Sequence, residues 1–381
     1  MKDSRQRVVK AMNLETPDRA PLMCQFSLGF MMNQLKPDPV KYWYDMKSFA
    51  DGLIRLRETF RFDGILVSLH GHYHNWQDQV LKTEYLDPGT AILHFEDRTE
   101  THSWNDLPLI RFFKPQQKKA IEDVDVERDV PGEISYIPVS GNINYQLDRE
   151  NLYAIFDYFD EQVGDQFSIH GEITSPFDYF LEFLGYQDAL MALLLEPEKS
   201  KQIIARFSKG VKNIALGMCQ KNIDAIKISS PFAGMGFISP ELYAAFVLPY
   251  EREIIAAIRS QGKHVYIHTC GHIGDRLELM CESGASGLEC LDPEPVGNVD
   301  LEDAFRRIGD RMFIKGNIDS VNTLLAEDDE KVRRDVLKII ETGKTKGKGF
   351  ILSTACSIAP LVTKERVLML SDLIAEYGRY L

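Results

Sequence analysis

Apolar and polar positions along the 381-residue chain fall into two alternating patterns. Short apolar and β-branched runs read as buried strands, and the stretches between them, apolar at every third or fourth position, read as amphipathic helices. The first strand follows the turn that opens PDRAPLMCQFSLGF at 17–30, and the second is ILVSL at 65–69. The next six are QFSIHGEIT, DAIKISS, HVYIHTC, SGLECL, MFIKGN and GFILSTAC, the last ending at Cys356. Helical spacing covers residues 3–13, 39–61 and 151–162, and then the segments after each later strand. Ser239 followed by Pro240 and Glu241 is a strong helix start, and that helix is expected to run to about Ser260. Eight strand–helix units predict a closed (β/α)8 TIM barrel, an α/β fold in which residues 1–381 form one domain. Residues 70–148 break the rhythm with short alternating runs such as AILHFED and EISYIPVS, which predict a β-hairpin-containing insertion after the second strand.

Composition narrows the function. With 44% hydrophobic residues the chain can bury a large core, and a formal charge of -13 argues against nucleic acid or an anionic membrane surface as partner. No apolar run approaches the roughly 20 residues that cross a bilayer, and the N-terminal residues lack the apolar core of a signal peptide. A cytoplasmic protein is expected. Its six cysteines do not form a disulfide framework, which leaves thiols for metal or catalysis. GMG at 234–236 is not a GxGxxG phosphate signature, so nucleotide chemistry finds little support.

His268 and Cys270 are two positions apart, which in a strand puts both side chains on one face near its C-terminal end. Cys356, ending the eighth strand, supplies a third soft ligand, and Glu289 in the sixth strand a fourth, exchangeable one. That set, His268, Cys270, Glu289 and Cys356, suits zinc. The competing reading is a hydrogen-bonded barrel histidine with cysteines as small core residues. After the second strand, HGHYH places His70, His72 and His74 near the same mouth, for a second metal or, for His70 and His72, for substrate. Glu172, ending the third strand, either faces the mouth or caps a helix. Cys24, Cys219, Cys281 and Cys290 have no paired partner and read as packing residues. The aromatic residues of 70–148, among them Trp76, Trp104 and Tyr145, read mainly as that segment's own small core.

The series FVLPYEREI, IHTCG, SGLECLD, IKGNID and GFILSTACSIAP, and more weakly GEITSPFDYF, resembles the uroporphyrinogen decarboxylase superfamily, in particular its zinc-dependent, corrinoid-linked methyltransferase branch. The resemblance implies zinc on His268, Cys270 and Cys356 with Glu289 as fourth ligand, and a corrinoid carried by a separate protein. Two marks of the decarboxylases are missing: an arginine-rich stretch after the first strand, where this chain reads MCQFSLGFM, and an aspartate after the second, where it reads VSLHGH. Both absences argue against porphyrinogen decarboxylation. The favoured expectation is transfer of a methyl group from a methylated small molecule, a methoxylated aromatic above all, to Co(I) of the corrinoid partner. The alternatives are a methylcorrinoid:thiol methyltransferase acting on a thiol such as coenzyme M, a decarboxylase-like enzyme, and a non-catalytic corrinoid-binding barrel. A homodimer is kept open.

Overall fold

Runs rich in Ile, Val and Phe with almost no exposed position pair into one parallel sheet, since such strands need both faces covered. The computed structural model describes residues 3–68, 75–140 and 143–380. In chain order, and in the same spatial order, the sheet holds β1 Gly64–Ser68, β2 Ser168–Thr174, β3 Ala225–Ser229, β4 His264–Thr269, β5 Gly287–Cys290, β6 Phe313–Ile318 and β7 Phe350–Thr354. All neighbours are parallel, with helices in every crossover.

The eighth position is filled differently from expectation. Residues 20–26 form no ladder strand; Leu22 and Phe26 make isolated parallel bridges to Leu352 and Ile358. Pro21 has no N–H to give, which interrupts a ladder there. Its carbonyl still accepts from Leu352 N, and Leu22 O accepts from Asp63 N, so this segment closes the curled sheet between β7 and β1 into a (β/α)8 barrel. Buried Asp63 locks the seam, accepting from Leu22 N, Arg7 and Arg19 at 2.9, 2.6 and 2.9 Å.

The helix expected from Ser239 starts as predicted, with Ser239 Oγ accepting from Leu242 N, but it stops at Phe246 and resumes as Leu248–Ser260. Pro249 cannot donate to the turn before it, so the two pieces meet at an angle. The long helix after β6 begins only at Asp329, capped by Asp328.

Between β1 and β2 the described residues hold a four-stranded antiparallel sheet (Lys82–Asp87, Thr90–His94, Arg98–Ser103, Leu109–Phe112) and a hairpin (Tyr136–Ser140, Ile143–Gln146). Ala91, Leu93 and Phe95 belong to the main core, and Trp76, Trp104 and Tyr145 pack against it, so these aromatics share the barrel's core instead of forming one of their own. Trp76 stacks on Tyr44 and Tyr145 on Trp43. Among the described residues no helix is long and apolar enough to cross a membrane.

Candidate functional site

Side chains that point inward from neighbouring parallel strands line up across the register. His268 of β4 is paired with Glu289 of β5 and Glu289 with Lys315 of β6; on the other side, Glu172 of β2 lies between Ser68 of β1 and Lys227 of β3. Charges of alternate sign thus fill the barrel interior. Glu289 Oε2 accepts from His268 Nδ1 at 2.8 Å, Lys315 hydrogen-bonds the other oxygen, and Lys227 Nζ lies 3.6 Å from Oε2. Lys227 also donates to Glu172 at 2.7 Å and to Gln25 Oε1 at 2.7 Å. Burial pushes the Glu289 carboxyl up, but Lys315, Lys227 and His268 outweigh it and hold it well below the usual carboxylate range.

Glu289 orients the imidazole so that Nε2 faces Cys270 Sγ, 3.3 Å away just beyond β4. Ligand atoms of His268, Cys270 and Cys290 lie within 4.8 Å of one another, and Cys356 Sγ is 4.0 Å from Cys270 Sγ. Hydrogen bonds from Cys290 and Cys356, with the adjacent imidazole, hold Cys270 far below the ordinary thiol range, while burial and that thiolate push the other two up. Burial lowers the His268 pKa, yet Cys270 and Glu289 overcome it and raise it to about 9. One imidazole and three sulfurs, with His268 and Cys290 buried and Cys270 and Cys356 half-buried, form a soft donor set of the kind that holds a transition-metal ion, with a carboxylate behind the histidine as such sites usually have.

Cys290, read from the sequence as a packing residue, therefore belongs to this cluster. β5 runs into two consecutive residues of left-handed backbone, Cys290 at φ 84° and Leu291 at φ 54°, a conformation that side-chain-bearing residues seldom adopt. Asp292 fastens the turn, accepting from Cys290 Sγ at 3.1 Å and from Gly271 N at 2.7 Å. Glu289, expected beside the thiols, meets His268 from the opposite edge of the ring. Cys24 and Cys219 are buried, away from any described metal group. His70, His72 and His74 lie outside the described residues.

The model of the family described as uroporphyrinogen decarboxylase (URO-D) matches residues 138–377. The chain belongs to this family. Among curated relatives it is 24% identical to a methylcobamide:CoM methyltransferase, MtaA, of Methanosarcina barkeri, over 61% of this chain and 66% of that protein. It is 25% identical to MtbA of Methanosarcina acetivorans, of the same activity, over 57% and 60%, and 25% identical to a uroporphyrinogen decarboxylase of Chloroherpeton thalassium over 55% and 59%. The chain thus spans less than two thirds of the length of these relatives. A solved structure titled methyltransferase from Methanosarcina mazei superposes over 98% of this chain and 99% of that one, with TM-score 0.71 and 18% identity, which shows the shared barrel fold.

In this URO-D chain a cavity of about 290 Å³ reaches Ser357, next to Cys356 in the chain, and Ser229, paired in register with His268. Its walls mix apolar side chains, including Phe26, Met31 and Leu66, with polar ones, Gln25, Ser68 and Glu172 among them. Glu172 therefore faces the cavity. Lys227 and Lys315 were not singled out from the sequence; the signal was there, a lysine inside the apolar strands DAIKISS and MFIKGN, where only an inward charge with a partner is tolerated.

Proposed function

We propose that this chain is a corrinoid-dependent methyltransferase that takes a methyl group from a methylated small molecule, a methoxylated aromatic, and delivers it to a separate corrinoid protein, with zinc held by its His–Cys cluster. The observation that carries this reading is the convergence of His268, Cys270, Cys290 and Cys356 at the C-terminal mouth of the barrel. His268, Cys270 and Cys356 are the ligands we assign first, with Cys290 in reach and Glu289 as the group that fixes the imidazole. When bound, zinc supplies Lewis acidity toward the methyl-bearing oxygen and the corrinoid supplies the methyl acceptor. The chain's own part is to position. Glu289 holds the Nε2 edge of His268 toward the thiols, Lys227 and Lys315 balance its charge, and the cavity keeps water from the apolar body of the donor. The names of the relatives favour a second reading, methyl transfer from a methylcorrinoid to a thiol. The two are separated by offering the purified chain cob(I)alamin with methoxyarenes and, in parallel, methylcobalamin with thiols, and following the cobalamin spectrum.

Metal content tests the site. About one zinc per chain is expected, falling to well under half in Cys270→Ala and in Cys356→Ala. Zinc unchanged in both variants overturns the metal assignment.

A further inference from the structure

The outward faces of β2, β3 and β4 end in hydroxyls that the His–Cys cluster does not use. Thr174, Ser229 and His268 pair across the register, and the next residue of each segment, Ser175, Ser230 and Thr269, makes the following row. Ser175 N donates to Ser229 O and Ser230 N to His268 O, so the ladder continues through that row. Glu172, Lys227 and His268 point into the barrel, and residues an odd number of positions further on face the surrounding helices. Glu251, from Leu248–Ser260, lies close enough to the hydroxyls of Ser175 and Ser230 for both to favour its charged form. Asp178, in the first turn of Pro176–Leu184, lies close enough to Glu251 to be repelled by it. All five side chains are buried. Among the described residues, Glu251 Oε1, Asp178 Oδ2, Ser230 Oγ and Thr269 Oγ1 have no hydrogen-bond partner. Buried polar atoms in native folds are nearly always satisfied, so four in one neighbourhood call for a bound species. The Tyr243 hydroxyl reaches only the other Glu251 oxygen, at 3.4 Å. The buried Arg276 beyond the Tyr243 ring is committed to Ala233 O, Ile238 O and Asp275. Two carboxyls and three hydroxyls offer hard oxygen donors alone, and two negative charges ask for two positive ones. Magnesium gives up its water shell reluctantly, whereas calcium exchanges it for protein oxygens.

We propose that Asp178, Glu251, Ser175, Ser230 and Thr269 form a second cation site, apart from the soft His–Cys cluster, for a hard divalent ion of calcium's size. The ion ties the ends of β2, β3 and β4 to two helices and so braces the strand end that carries His268 and Cys270. The site stands independently of the methyl-transfer reading. Without the ion, burial keeps protons on the pair: it raises Glu251 to about 7 and, with Glu251 alongside, Asp178 well above the carboxylate range. The test therefore titrates calcium by calorimetry into the full chain in calcium-free buffer at pH 8, and follows the thermal midpoint with about 1 mM calcium or magnesium. One calcium per chain is expected, raising the midpoint by about 3 °C or more, with magnesium giving less than half of that gain. Ser230→Ala, which removes a donor and no charge, should weaken calcium by about tenfold, and Glu251→Gln by about a hundredfold. Glu294→Gln, on an exposed carboxylate outside the site, should leave the affinity within about twofold. No calcium binding, which water alone in the pocket would give, overturns the proposal. So does parental affinity in both Ser230→Ala and Glu251→Gln, and so does an equal gain from magnesium, which would mark general screening of a chain with formal charge -13.

Discussion

Glu289 is fully buried with three partners, and its removal would take the carboxylate from Lys315 and leave Lys227 to Glu172. Lys227 and Lys315 are both buried within the barrel, and Glu289 meets each of them as well as His268. Breaking a buried pair by deleting one member costs about 3–5 kcal/mol, because the remaining charge stays desolvated. Glu289→Ala is therefore expected to lower stability by that amount in urea unfolding, and Glu289→Gln, which keeps an acceptor, by distinctly less. Equal losses would mean that charge is not what Glu289 contributes. The same residue explains why His268 cannot be read alone: its ring orientation is set by a carboxylate from the next strand.

The broken helix after β3 carries a second buried carboxyl. Glu251, in the first turn of Leu248–Ser260, is inaccessible to solvent, and burial, partly offset by hydroxyls of Ser230, Ser175 and Tyr243, raises its pKa from 4.5 to about 7. Below pH 4.5 the group is protonated whether the chain is folded or not, so it contributes no penalty. Between 4.5 and 7 the unfolded chain loses the proton while the folded chain keeps it, and stability falls as pH rises, by roughly 3 kcal/mol in total. Above pH 7 the penalty is complete. Glu251→Gln is expected to flatten this slope between pH 5 and 8 and to be more stable than the parent at pH 8, as read from urea midpoints at each pH. A parent and variant with parallel pH profiles would show that Glu251 ionises normally.

At the scale of the molecule, the barrel gathers function at one end. The loops after β3, β5, β6 and β7 expose Met235, Phe237, Val296, Val321 and Leu361 around the mouth that holds the His–Cys cluster. Exposed apolar side chains arranged about a site favour contact with another macromolecule. Under the proposed function, Phe237→Glu combined with Leu361→Glu should slow methyl transfer to a protein-bound corrinoid at least about tenfold and leave transfer to free cobalamin unchanged. An equal slowing of both would place these residues in the chemistry of the donor and not at a docking surface.

The order of strands and helices was legible in the chain because period-two and period-3.6 patterns are local, and burial on both faces of a parallel strand forces an apolar run wherever one occurs. The His268-x-Cys270 spacing was legible for the same reason, since residues two apart in a strand share a face whatever surrounds them. Cys356 was legible as the residue that ends another apolar strand, and the family motifs tied it to that pair. What pattern alone did not yield depends on distant partners. The first segment closes the barrel by bridges because of where Asp63 and Leu352 lie, and Glu289 turns to His268 because Lys315 and Lys227 stand opposite it. Cys290 joins the thiols through two left-handed backbone residues that no local periodicity foretells. Local repeats determine which elements form; barrel closure decides which side chains meet, because register and backbone torsion at the strand ends are settled by contacts far away in sequence.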